Sequence, residues 1–155
     1  MISFFKNKKK NNNYNKIDNL SNEYLNMYEA AITAFENAYA PYSNFKVGAS
    51  VLLRDGRIVT GCNVENASYG LTMCAERNAL FAAYALGYKK EDVSALLVTG
   101  VTETPISPCG ACRQVITELM EKDKKVVLTN LDKKMIVYKV MDLLPYSFKE
   151  DDLHE

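Results

Sequence analysis

The chain has no tryptophan and a single histidine, His154, next to its last residue. Catalysis or metal binding built on histidine would hang from the terminus and is set aside. Net charge is also missing, because 19 basic residues balance 19 acidic ones. Such a balance gives no broad positive field for gripping a nucleic-acid backbone. No apolar run approaches the ~20 residues needed to span a bilayer. The opening Met1-Ile2-Ser3-Phe4-Phe5 is followed, not preceded, by lysines, the reverse of a secretory signal. These absences exclude a nucleic-acid partner and a membrane partner, and point to the cytoplasm. Four cysteines (Cys62, Cys74, Cys109 and Cys112) are too few for a dense disulfide framework. Two of them stand as Cys-x-x-Cys, which in a chain without a signal favours metal or redox chemistry over structural bridges.

What is present suits one domain. At 155 residues, 48% hydrophobic, the chain can supply one sizeable core. Residues 1–20 are rich in Lys and Asn, with Lys8-Lys9-Lys10 abutting Asn11-Asn12-Asn13. Such a segment buries too little to offset its ordering entropy, so it reads as a disordered tail. From Ser21, the residues Leu25, Tyr28, Ile32, Phe35 and Tyr39 recur every three or four positions, predicting a helix that Pro41 ends. Two β-rich runs follow, Phe45 to Arg54 and Arg57 to Val64, joined by Asp55-Gly56 as a hairpin in which both turn residues take positive φ. A second helix is expected from Cys74 to a stop at Gly87, and a third after Pro108, burying Val115, Ile116, Leu119 and Met120. Val93 to Val101 reads as a buried strand, and Lys125 to Leu131 and Lys134 to Met141 as two more. The fold class is therefore α/β, a three-layer α/β/α sandwich with a mixed sheet of about five strands. The domain spans 21–148, and 149–155 form a short acidic tail.

The chemistry-bearing residues are Cys74-Ala75-Glu76 and Pro108-Cys109-Gly110-Ala111-Cys112. Both groups fall at expected helix starts. A thiolate there meets unpaired backbone N–H groups and the positive end of the helix dipole, which suits it to metal. Cys109 and Cys112 face the same way within one turn, and Cys74 adds a third sulfur. Three protein ligands leave tetrahedral zinc one open position for water, whereas a structural site closes with a fourth. Glu76, two residues beyond a ligand, is placed to hydrogen-bond that water. A non-ligating Glu with three thiolates and Pro-Cys-x-x-Cys is the pattern of zinc deaminases in general. The competing arrangement is a structural four-cysteine site closed by Cys62; otherwise Cys62 is a small, inert thiol.

The sequence resembles the small, homotetrameric, zinc-dependent cytidine deaminases. The resemblance runs from Ser21 to Phe148 through Tyr42-Ser43-Asn44-Phe45-Lys46-Val47-Gly48-Ala49, Gly61-Cys62-Asn63-Val64-Glu65-Asn66-Ala67-Ser68-Tyr69-Gly70 and Cys74-Ala75-Glu76-Arg77. It continues through Ser107-Pro108-Cys109-Gly110-Ala111-Cys112-Arg113-Gln114 and Leu143-Leu144-Pro145-Tyr146-Ser147-Phe148. It implies one zinc per subunit, Glu76 as proton carrier, and hydrolysis of cytidine and deoxycytidine to uridine and deoxyuridine plus ammonia in pyrimidine salvage. It implies that Asn63 and Glu65 hydrogen-bond the ribose, that Phe45 packs on the pyrimidine, and that Phe148 adds a second aromatic wall. Backbone groups near Ala75 and Ser107 to Cys109 would hold the base edge. Arg77 would hydrogen-bond the thiolates, and Tyr69 would reach a neighbouring subunit's pocket in a homotetramer with shared active sites.

Alternatives remain on sequence alone. A deaminase for an aminopyrimidine antibiotic such as blasticidin shares the fold, although Asn63-Val64-Glu65-Asn66 favours the nucleoside. A nucleic-acid editing deaminase lacks its aromatic–basic stripe. A silent zinc module would need Cys62 as ligand, and a thiol–disulfide oxidoreductase on Cys109 and Cys112 leaves Cys74 and Glu76 without a role.

Overall fold

The computed structural model describes residues 14–153. The Lys8–Lys10 and Asn11–Asn13 runs and His154 lie outside the described residues. Among those described, the elements in order are β1 (Asn15–Lys16), α1 (Asn22–Glu36), β2 (Val47–Leu53), β3 (Ile58–Cys62), α2 (Ala75–Ala85), β4 (Val93–Gly100), α3 (Gly110–Leu119), β5 (Lys125–Thr129), β6 (Lys134–Lys139) and α4 (Val140–Leu143). They build a mixed sheet of order β1-β6-β5-β4-β2-β3, in which only the β4–β5 pair is parallel. A parallel pair needs a crossover, and α3 supplies it.

Alternation along the strands assigns the two faces. Ala49, Val51 and Leu53 of β2, with Leu96, Val98, Val126 and Leu128, pack against Ala79, Leu80 and Ala83 of α2 and Ile116 of α3. Leu52, Ala95, Leu97 and Val127 point the other way, onto Met27, Tyr28 and Ala31 of α1. Helices thus cover both faces, as the three-layer expectation requires. Two glycines let them approach closely. A Cβ on Gly48 would lie 2.0 Å from Ala31 O, and one on Gly61 would lie 2.3 Å from Ala79 N. Any larger residue would push α1 or α2 off the sheet.

Several boundaries differ from the sequence expectation. The sheet has six strands, not about five, because β1 forms inside the segment read as a disordered tail. A two-residue strand has no periodicity to read. It is held by the free edge of β6, by the Ile17 N–H donating to Lys133 O (3.0 Å), and by complete burial of the Ile17 side chain. Burying such a side chain contributes about 1.5–3 kcal/mol, enough to anchor a short segment that polar composition alone would leave loose.

Tyr39 lies beyond α1 rather than on it. The helix stops at Glu36, since Pro41 could neither donate to the Asn37 carbonyl nor avoid it. The hairpin closes with a three-residue loop: Leu53 N donates to Arg57 O, and only Gly56 takes positive φ (85°) while Asp55 does not. That is a type I turn followed by a left-handed residue. The last described segment, Glu150–Leu153, is one 3₁₀ turn.

Candidate active site

Cys74 caps the N-terminus of α2 and Cys109 that of α3, both with extended backbones (φ −74°, ψ 155° and φ −67°, ψ 166°). Neither residue is among the best side-chain caps. The Cys109 sulfur nevertheless accepts from the Cys112 N–H at 3.4 Å, setting it against the N-terminal N–H groups of α3. The Sγ atoms of Cys74 and Cys109 are 3.9 Å apart, and those of Cys74, Cys109 and Cys112 all lie within 4.8 Å of one another. A tetrahedral zinc with Zn–S bonds near 2.3 Å spaces its sulfurs about 3.8 Å apart. The donor set and its span therefore fit zinc. Cys62, at the end of β3, does not belong to the cluster, so no fourth cysteine closes it among the described residues.

Arg77, one turn along α2, donates from Nη2 to Cys74 Sγ at 3.4 Å. The Cys74 thiol is pulled down to about 5, first by a hydrogen bond from the Cys112 thiol and further by the Arg77 guanidinium. Cys112 keeps the shared proton and is pushed up by the Cys74 thiolate it faces. Glu76 is only 5% exposed, and its carboxyl is pushed up to about 7, chiefly by burial and then by the negative Cys74. Burial, more than the neighbouring charge, thus holds Glu76 where it can gain and lose a proton near neutral pH.

The cluster opens into a cavity of about 570 Å³, a size suited to a small ligand. Phe45, Asn63, Glu65, Tyr69, Ala75 and Glu76 all line it, together with Cys74 and Cys109. Phe148 does not. Its carbonyl accepts from Gln114 Nε2 (3.1 Å) on the outer side of α3, and the residue is 57% exposed. The expected second aromatic wall is absent from the cavity of its own chain.

Asn63 and Glu65 are held by the segment after α1. Tyr39 N donates to Asn63 O (3.0 Å) and Glu65 N donates to Tyr39 O (2.8 Å), carrying the chain past the cavity mouth. The Asn63 side chain accepts from Val47 N and donates to Phe45 O, each at 2.8 Å. Glu65 accepts from the Tyr42 and Ser43 N–H groups (2.8 and 3.2 Å) and from the Ser43 hydroxyl. The Ser43 hydroxyl, with the two backbone donors behind it, holds the Glu65 carboxyl below the usual carboxylate range.

Sequence reasoning did not single out Ser43, Val47, Thr72, Thr102 or Ile106, which also line the cavity. Ser43 carried a local signal, a short hydroxyl just after Pro41 and before a residue with positive φ (Asn44, 55°). Arg113 was likewise passed over. Its guanidinium donates to Pro108 O (3.0 Å), Leu143 O (2.8 Å) and Ser107 Oγ (2.6 Å), fixing the loop that leads into Cys109.

The family model for the cytidine and deoxycytidylate deaminase zinc-binding region matches residues 21–130. A cytidine deaminase of Halalkalibacterium halodurans is 50% identical over 129 residues, covering 83% of this chain and 96% of the relative. The crystal structure of cytidine deaminase from Burkholderia pseudomallei superposes with a TM-score of 0.79 at 53% identity, covering 83% of this chain and 100% of that one. That of the Mycobacterium tuberculosis cytidine deaminase gives a TM-score of 0.69 at 38% identity, covering 81% and 97%. The chain belongs to the zinc-binding cytidine and deoxycytidylate deaminase family, and Cys74, Cys109 and Cys112 are the cluster able to hold its zinc.

Proposed function

We propose that this chain hydrolyses cytidine and deoxycytidine to uridine and deoxyuridine with release of ammonia, in pyrimidine salvage in the cytoplasm. The observation that carries the reading is the buried Glu76 carboxyl, which lines a cavity of about 570 Å³ together with Cys74 and Cys109 of the three-sulfur cluster.

Cys74, Cys109 and Cys112 would hold the zinc, which would supply a Lewis acid able to lower the pKa of water to about 7. Glu76 takes a proton from the attacking water as its oxygen adds to C4 of the cytosine ring. It hands that proton to ring N3, giving a tetrahedral carbon at C4. It then carries the second proton of the former water to the amino group, which leaves as ammonia while the C4 carbonyl forms. Arg77 offsets the charge of the thiolates. Asn63 and Glu65 bind the ribose hydroxyls, and Phe45 packs on the pyrimidine. Backbone groups at Ala75 and Ser107 to Cys109 hold the base edge.

The outward position of the 57% exposed Phe148 supports completion of each site between copies of this chain in a homotetramer, whereas Tyr69, expected at a neighbour's pocket, lines the cavity of its own chain. No helix among the described residues is long and apolar enough to cross a membrane. The test is side-by-side turnover of cytidine, deoxycytidine, blasticidin and a cytosine-bearing oligonucleotide, with the mass of the assembly measured in the same buffer. Turnover of the two nucleosides alone, by a tetramer, is the expected result. Preferred turnover of blasticidin or of the oligonucleotide would overturn the substrate assignment.

A further inference from the structure

Thr102, Ile106 and Ser107 form one wall of the cavity, yet they stand on an irregular segment with no strand or helix of its own. Such a segment keeps one shape only if its backbone groups find partners elsewhere. Ile106 packs where Gly100 has no side chain, since a Cβ there would come within 2.8 Å of Ile106 Cδ1. The Ile106 N–H donates to Thr129 O at 2.9 Å, tying the far end of the segment to β5. The near end is tied by a side chain: Asn130 Nδ2 donates to Thr102 O at 2.8 Å.

Asn130 follows β5 directly, is fully buried, and does not line the cavity. Its Oδ1 accepts from Lys134 N (3.0 Å), and its own carbonyl accepts from Lys133 N (3.0 Å) and the Tyr28 hydroxyl (3.1 Å). With the acceptor end of the amide committed to the β5–β6 turn, the donor end has one direction left, and Thr102 O lies in it. Only an amide of this length serves both partners. An ionised aspartate would present an acceptor to the Thr102 carbonyl, and a serine would be too short to bridge the two.

We propose that Asn130 is a positioning residue for substrate binding: its side-chain amide, locked between the β5–β6 turn and Thr102 O, fixes the cavity wall against which the nucleoside is held. The substrate half of this inference rests on the nucleoside reading above; the anchoring of the wall does not.

The test compares Asn130→Asp, Asn130→Ser and Tyr28→Phe in the zinc-loaded full chain. Tyr28→Phe is the control, because it removes a different hydrogen bond to the same residue and leaves the Thr102 contact alone. Wild-type turnover of cytidine is read first, and its absence would sink the nucleoside reading. Amide exchange across 101–107 then still decides whether Asn130 holds the wall. With turnover established, Asn130→Asp raises KM for cytidine about tenfold, the scale of one lost hydrogen bond with its acceptor left buried, while kcat stays within about threefold. Exchange across 101–107 rises with it, whereas Tyr28→Phe lowers Tm and leaves KM and that exchange unchanged.

Equal KM values in the wild type and the Asn130 variants would overturn the proposal. So would equal rises in KM for Asn130→Asp and Tyr28→Phe. If Asn130→Asp does not fold, Asn130→Ser is read by the same criteria. Failure of both to give a cooperative melt would make Asn130 a core residue and also overturn it.

Discussion

The Arg77 guanidinium stands 3.4 Å from Cys74 Sγ, one helical turn from the cluster it faces. Three thiolates on Zn²⁺ would carry a net charge of −1, and we propose that this contact would offset it. Arg77→Ala is expected to weaken zinc binding by about 10–100-fold, measured by competition with a chromogenic chelator. Unchanged competition would reduce Arg77 to a packing residue.

Glu76→Gln keeps the size of the side chain and removes its ability to carry a proton. Turnover should fall by about 10²–10⁴-fold with one zinc per chain retained by metal analysis. Near-normal turnover would remove Glu76 from the proton path.

Cys62 lies outside the sulfur cluster. Cys62→Ser should therefore retain zinc and activity, while Cys74→Ala, Cys109→Ala and Cys112→Ala lose the metal and some stability. Zinc lost from the Cys62 variant would restore a four-cysteine site.

Glu65 has a carboxyl lowered from 4.5 by the Ser43 hydroxyl and the Tyr42 and Ser43 N–H groups. A group depressed in the folded state stabilises fully above its ordinary value, and that contribution fades as pH falls through the folded value. The stability lost in Ser43→Ala should thus be largest above pH 4.5 and shrink in more acid solution. Denaturant melts at several pH values check this; a loss that grows with acidity would contradict it.

Gly61→Ala would place a Cβ 2.3 Å from Ala79 N. Overpacking of that kind costs about 1–3 kcal/mol, read as a lower Tm. An unshifted Tm would mean that α2 can move off β3 freely.

The parts of this molecule that repeat or punctuate could be read from sequence. Ile116 is fully buried on α3 as its spacing demanded, Met120 is buried just past the end of that helix, and α2 starts immediately after Cys74. The metal cluster was legible because its three sulfurs and the Glu sit at helix starts, where short motifs fix geometry locally. Tyr39 kept helical spacing but fell beyond the helix, because chain stereochemistry near Pro41 overrides hydrophobic period. Ile17 is a lone apolar residue in a polar stretch, and only the free edge of β6 gives it a place to bury. Arg113 and Asn130 act through bonds spanning 30 and 28 residues of sequence. Such long-range pairs leave no local pattern. Phe148 was expected through its motif as a second aromatic wall of the site, yet it does not line the cavity of its own chain, and the motif carries no local signal for that.

The most direct test of the account is the ultraviolet absorbance of cytidine with purified, zinc-loaded protein, before and after a chelator. The account predicts loss of the cytidine signal with matching uridine and ammonia, abolished by metal removal and restored by added zinc. Zinc-loaded protein that leaves both cytidine and deoxycytidine unchanged, or turnover that persists without metal, would contradict it.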